Sequence, residues 1–163
     1  MGLDMYLYLE RYESKWRIPD EKKKEWEKTF YPPEMDELAD LLKKRDLMTK
    51  TTSYQVAYWR KANAIHKWFV DECGEGIDEC QKIWVPVEKL EQLVAICSEV
   101  LLDHERAEEL LPTESGFFFG GTEYDEWYFK DLEETVEMLD PICKFIRSHK
   151  DSVEWDIYYS ASW

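Results

Sequence analysis

The sequence lacks the features that mark membrane and secreted proteins. No stretch of its 163 residues approaches the roughly 18 consecutive apolar side chains of a transmembrane helix. The opening MGLDMYLYLERYE is interrupted by acidic and aromatic residues, so it does not resemble a signal peptide. The four cysteines form no C-x-x-C pair. These absences predict a cytoplasmic protein with reduced thiols and no membrane partner.

Motifs for catalysis and metal binding are also missing. There is no nucleophile elbow, zinc-deaminase signature, kinase set or P-loop, and the three histidines, His66, His104 and His149, lie far apart. The sequence therefore predicts no cofactor, no metal and no catalytic residue. Acid–base chemistry by His66 stays open, because catalytic groups converge in space rather than in sequence.

Acidic residues are absent from one long segment of an otherwise acidic chain. Residues 1–70 carry 14 basic and 12 acidic side chains (+2), whereas residues 71–163 carry 7 and 24 (−17), which sums to the net charge of −15. No acidic residue occurs between Asp46 and Asp71. The overall charge argues against direct binding of nucleic acid. It leaves room for a local basic pocket or for a basic protein partner.

Alternating apolar residues predict a strand near each end of the chain. In residues 3–9, LDMYLYL, leucine and methionine alternate with aspartate and tyrosine, and residues 153–163, VEWDIYYSASW, alternate in the same way. Two such strands in a helical chain would pair with each other or share a small sheet.

Helices are predicted between these strands. Their ranges are 20–28, a helix opened by Pro33, 59–72, 87–102, 123–139, and a last helix opened by Asp140–Pro141. The helix at 87–102 is expected either to run on or to kink through His104 to Leu110. The fold class predicted is α+β. It is a mostly helical single domain over residues 1–163, with a small antiparallel sheet that includes the N- and C-terminal strands.

The segment 58–73, YWRKANAIHKWFVDEC, predicts a binding wall. As a helix it has an apolar core face made by Tyr58, Ala62, Ile65 and Phe69. Trp59, Asn63 and His66 then share the shoulder beside that face. An indole, an amide and an imidazole can stack on a planar group and hydrogen-bond its edge. The alternative is that these three side chains only satisfy neighbouring backbone groups.

The segment 116–122, GFFFGGT, predicts either a strand between two layers or an aromatic loop that closes over a pocket. Glu123, Asp125 and Glu126 follow it in the first turn of a helix, where their charge opposes phosphate binding. Together the two segments give the predicted ligand-binding set: Trp59, Arg60, Lys61, Asn63, His66, Phe117, Phe119 and Tyr124.

Four stretches together resemble a family of small phage- and prophage-encoded proteins with no assigned function. They are MGLDMYLY, YWRKANAIHKWFV, LLPTESGFFFGGTEYDEWY and the ending YYSASW. The resemblance implies no site residues. It implies an accessory protein in a bacterial host cytoplasm during infection, where such proteins commonly antagonise host defence by sequestering nucleotide signals or blocking a defence protein.

Three functional hypotheses follow. The first is a non-catalytic binding protein whose aromatic and basic pocket holds a nucleotide-like small molecule. The second is an acidic inhibitor that mimics nucleic acid and blocks a basic host protein. The third is a small-molecule enzyme that depends on His66. Self-association is left open by the sequence.

Overall fold

The computed structural model describes residues 2–149 and 155–163. It confirms the α+β class, with 52% helix and a four-stranded antiparallel sheet that includes both terminal strands. The chain groups into two compact units, one of Met1–Glu10 and Ser53–Trp163, and one of Arg11–Thr52. The single domain over residues 1–163 stays a prediction.

The sheet has the strand order β2-β1-β4-β3. The strands are β1 (Asp4–Ser14), β2 (Thr49–Arg60), β3 (Ile83–Trp84) and β4 (Trp155–Ser162). The predicted strand positions 153 and 154 lie outside the described residues. Alternation in β1 buries Met5, Leu7 and Leu9 on one face, as expected for a sheet covered on one side. β3 pairs with β4 so that Ile83 lies opposite Tyr159.

Six α-helices occur in the described parts of the chain. They are α1 (Asp20–Thr29), α2 (Asp36–Lys44), α3 (Asn63–Cys73), α4 (Val87–Leu102), α5 (Ala107–Leu110) and α6 (Glu126–Ser148). The predictions at 20–28 and 87–102 are therefore confirmed. None of these helices is long and apolar enough to cross a membrane.

The smaller unit contains α1 and α2. Phe30, Ala39 and Met48 are buried there, whereas Leu38 and Leu41 of α2 are exposed. The apolar stripe of α2 is thus only partly used for packing within the described chain.

The core of the larger unit lies between one face of the sheet and helices α3, α4 and α6. Phe69 of α3 stacks on Tyr159 of β4 with ring centroids 4.2 Å apart. Helix α4 and helix α6 pack against each other, each through an apolar stripe at helical spacing. The buried members are Leu90, Leu93, Cys97 and Val100 in α4, and Tyr128, Leu132, Thr135, Leu139 and Cys143 in α6.

The predicted helix over 59–72 is wrong in its first turn. Strand β2 continues to Arg60, and α3 begins only at Asn63. Lys61 has a φ of 62°, a left-handed conformation that ends the strand and cannot continue into a right-handed helix. Tyr58, predicted to face the core, is 42% exposed, whereas Trp59 is buried.

The two predicted helices over 123–139 and after Asp140 form one continuous helix. Helix α6 contains Pro141 in its interior. A proline there removes a backbone hydrogen bond at a cost of about 3 kcal/mol. Leu139 and Cys143, on either side of it, are both buried, so tertiary packing maintains the helix. Asp125, rather than Thr122, is its N-cap.

Of the two expectations for residues 103–110, the structure shows the kink and not an unbroken helix. Asp103 leaves the helical conformation and caps a short 3-10 turn, and the separate helix α5 follows.

Candidate functional site

A cavity of about 360 Å³ lies where the turn between β2 and α3 meets the start of α6. Ligand pockets typically measure about 300–1,000 Å³, so a small organic molecule fits this one. Three segments line it: residues 60–65, a loop region containing Thr113, Gly120 and Gly121, and a third segment with Glu123, Asp125, Trp127, Tyr128, Asp131 and Leu132.

Two left-handed residues bring the first two segments together. Lys61 has φ 62° and Gly120 has φ 90°. A Cβ atom at Gly120 would lie 3.2 Å from Cβ of Lys61. Glycine is therefore required at this position both for its backbone conformation and for the close approach of the loop to the turn.

Asn63 fastens the loop to the start of α3. Its side-chain nitrogen donates hydrogen bonds to the carbonyl oxygens of Phe119 (3.2 Å) and Gly121 (2.7 Å). Its Oδ1 accepts one from the backbone N–H of Glu114 at 3.1 Å. Both N–H groups of the amide are used and its oxygen accepts one hydrogen bond, so Asn63 shapes the cavity wall.

The turn places two cationic side chains on one side of the cavity. Arg60 and Lys61 are exposed, and Nε of Arg60 lies 4.0 Å from Oδ1 of Asp4. Lys61 forms no ion pair with the parts of the chain that the structure describes. Helix α3 begins at this point without a side-chain cap. Its first backbone N–H groups add a partial positive charge.

Asp131 places a carboxylate on the α6 side of the same cavity. It is half-buried, and its carboxylate makes no ion pair or side-chain hydrogen bond with residues 2–149 or 155–163. Burial, as the largest cause, and the charges of Glu134 and Asp125 together raise the pKa of Asp131 to about 7, against the opposing effect of Lys130. This is the strongest perturbation of a carboxylate pKa among the described residues.

Asp125 also lines the cavity but serves mainly as the cap of α6. Its Oδ1 accepts hydrogen bonds from the backbone N–H groups of Trp127 (3.0 Å) and Tyr128 (3.1 Å). An aspartate at an N-cap stabilises a helix by about 1 kcal/mol. The carboxylate of Asp125 is thus already engaged.

Trp127 provides an open aromatic surface at the cavity. Its side chain is 63% exposed, whereas the neighbouring Tyr128 is buried and donates its hydroxyl proton to the carbonyl of Leu111 at 2.8 Å. Nζ of Lys130 lies over the indole, 5.6 Å from the ring centroid. The rest of the exposed indole surface is available for stacking on a planar ligand.

Trp59, predicted for the binding wall, lies in the core instead. It is 3% exposed, and its indole N–H donates to Oγ1 of Thr135 at 2.9 Å. The Thr135 hydroxyl in turn donates to the carbonyl of Asp131 at 2.6 Å. This pair explains the polar residue in the buried stripe of α6, because a buried indole N–H needs an acceptor.

His66 is held in a closed hydrogen-bond network. Its ring is 1% exposed, with Nδ1 2.6 Å from the hydroxyl of Tyr159 and Nε2 3.0 Å from Oδ2 of Asp78. Oδ1 of Asp78 accepts from the indole of Trp163 at 3.2 Å. Burial raises the pKa of Tyr159, which keeps its hydroxyl a donor, so Nδ1 accepts and Nε2–H donates to the carboxylate. Neither nitrogen is open to a substrate.

The remaining predicted residues do not line the cavity. Phe117 is 95% exposed, and Phe119 is buried edge-on to His66 with ring centroids 5.1 Å apart. Tyr124 is half-buried, contacts Tyr128, and accepts a hydrogen bond from the backbone of Thr113 at 3.4 Å. Of the predicted set, the structure brings only Arg60, Lys61 and Asn63 together at the cavity.

Comparison of the chain with family models, curated proteins and solved structures found no match. The described residues hold no group of three or more histidine, cysteine, aspartate or glutamate side chains that could bind a metal ion. Sequence reasoning missed Trp127 and Asp131. The available signal was their spacing of four residues on one helix, beside the apolar stripe.

Proposed function

We propose that this chain is a non-catalytic binding protein for a nucleotide-like small molecule, held in the cavity between the β2–α3 turn and α6. The observation that carries the proposal is the opposition of two surfaces across one cavity. Arg60 and Lys61 lie on the turn, and the exposed indole of Trp127 lies on α6.

Each surface suits one part of a nucleotide. The two cationic side chains and the uncapped start of α3 suit a phosphate, which accepts hydrogen bonds and carries negative charge. The indole suits a base, because stacking of a base on an aromatic side chain contributes about 1–3 kcal/mol. The buried, fully bonded His66 favours binding over catalysis by that residue.

The resemblance to small phage proteins gives the proposal its biological setting. A phage accessory protein with such a pocket would act against host defence by sequestering a nucleotide signal in the bacterial cytoplasm. This part of the proposal rests on the four resembling stretches of sequence.

Binding of nucleotides and cyclic nucleotides is testable by thermal shift and calorimetry. We expect at least one mono- or cyclic nucleotide to raise the melting temperature. The substitution Lys61→Gln or Arg60→Gln should weaken its binding about 10-fold, as expected for a lost charged hydrogen bond. Lys67→Gln is the matched control, because Lys67 is paired with Asp71 and lies outside the cavity. Absence of stabilisation by every nucleotide would contradict the proposal.

A second candidate function is inhibition of a basic host protein by mimicry of nucleic acid. The acidic surface of α6 favours it, because exposed Glu126, Glu133, Glu134 and Glu137 follow one another along the helix. Binding of this kind weakens steeply with salt. A purified partner that bound equally well at low and high salt would refute simple charge mimicry.

A further inference from the structure

Asp131 is a half-buried carboxylate of the cavity without a partner among the described residues. Carboxylates that are removed from water are normally paired with cations or hydrogen-bond donors. The other two acidic residues that line the cavity differ from Asp131 in this respect, because Asp125 caps α6 and Glu123 is exposed to solvent. Asp131 therefore has free acceptor capacity at the cavity, where a ligand with N–H donors would complete its hydrogen bonds.

The position of Asp131 on α6 restricts that donor to part of a planar ligand. Trp127 and Asp131 are four residues apart on one helix, so their side chains are neighbours on the same face, and both line the cavity. A ring stacked on the indole of Trp127 presents its edge to the carboxylate. A metal ion is not supported as the alternative, because the described residues provide no cluster of ligands for one.

We infer that the cavity selects a guanine-type base, whose ring N–H and neighbouring amino group donate two parallel hydrogen bonds to the carboxylate of Asp131. The base stacks on Trp127, and the phosphate points toward Arg60 and Lys61. This inference rests on the proposed function and specifies its ligand.

Adenine is disfavoured by the same geometry. Its amino group lies beside a ring nitrogen that accepts hydrogen bonds, so one carboxylate oxygen would face an acceptor instead of a donor. Hypoxanthine keeps the ring N–H of guanine but lacks the amino group, so it loses one of the two bonds. The raised pKa of Asp131 supports the assignment, because a carboxylate left desolvated and unpaired gains most from a ligand that supplies donors.

Calorimetry at pH 8, where Asp131 is ionised, tests the inference with guanosine, inosine and adenosine monophosphates. We expect the wild-type chain to bind the guanosine nucleotide about 10- to 100-fold more tightly than the other two. Asp131→Asn should abolish this preference. Glu133→Gln, which removes the same charge from an exposed position of α6 outside the cavity, should keep it.

The outcomes separate this inference from the proposed function. Equal binding of the three nucleotides by the wild-type chain, or an unchanged preference in folded Asp131→Asn, would overturn the inference and leave nucleotide binding standing. No binding of any of them would overturn the guanine assignment. Because the comparison of guanosine with inosine monophosphate needs only the wild-type chain, the result does not depend on the folding of a variant.

Discussion

Replacing Asp131 by asparagine is expected to stabilise the folded chain at alkaline pH. The pKa of Asp131 is about 7 in the folded state, against 3.8 for the unperturbed group. The folded state therefore binds more protons than the unfolded state between about pH 4 and pH 7, so stability falls as pH rises through this window. Asparagine has the same shape and no charge, so it avoids this loss.

The magnitude follows from the size of the shift. A change from 3.8 to about 7 corresponds to roughly 4 kcal/mol of unfavourable free energy for the ionised carboxylate. Asp131 is only half-buried and lines an open cavity, so screening reduces the effect on stability to about 1–2 kcal/mol. The charges of Glu134, Asp125 and Lys130 also act on this carboxylate and contribute to its pKa.

Urea denaturation of the wild type and Asp131→Asn at several pH values measures the effect. The stabilisation by asparagine should be near zero at pH 4, grow up to pH 7 and then stay constant. Glu133→Gln, which removes an exposed carboxylate from the same helix, is the control for the loss of one negative charge. A stabilisation equal at all pH values, or a destabilisation at pH 8, would refute the view that Asp131 is an unpaired, desolvated acid.

Three further predictions concern two buried hydrogen-bonding side chains and the cysteine thiols. His66→Ala should reduce the free energy of unfolding by about 3 kcal/mol, since it leaves two buried hydrogen-bonding partners unsatisfied; a loss below 1 kcal/mol in urea denaturation would show that the network is dispensable. Thr135→Val should cost about 2 kcal/mol by removing the acceptor of the Trp59 indole, and Thr135→Ser, which keeps the hydroxyl, should cost less. Cys80 is exposed, so it should react with Ellman's reagent in the native state much faster than the other three thiols, whose pKa values are raised by burial to about 11 or 12; several rapidly reacting thiols would contradict this.

The elements that could be predicted from the sequence are those in which the same face is buried along the whole element. Helix α4 keeps an unbroken apolar stripe, and β1 alternates strictly, so local pattern and tertiary packing agree. The end of strand β2 was missed because four apolar residues have the spacing of one helix face although a turn separates the first from the others. They are Tyr58, Ala62, Ile65 and Phe69. The left-handed conformation of Lys61 carries no signal in the residue type.

The candidate site was only partly predictable for a similar reason. Arg60 and Lys61 stand out in sequence because they lie in a long segment without acids. The importance of Asp131 arises from its burial and its lack of a partner. Both depend on residues about 70 positions away that approach it only in the fold. Trp59 looked like a ligand-binding side chain because its acceptor, Thr135, is equally distant in sequence.

The order of strands in the sheet has a consequence for how the chain folds. β1 lies between β2 and β4, so the central pairing joins opposite ends of the described sequence. Contacts between residues this far apart in sequence form late, because the entropy of ordering the intervening chain must be overcome first. Until β4 arrives, β1 presents an unpaired edge and an apolar row of Met5, Leu7 and Leu9. A partly folded chain in which β4 has not yet paired with β1 is therefore the state most exposed to aggregation.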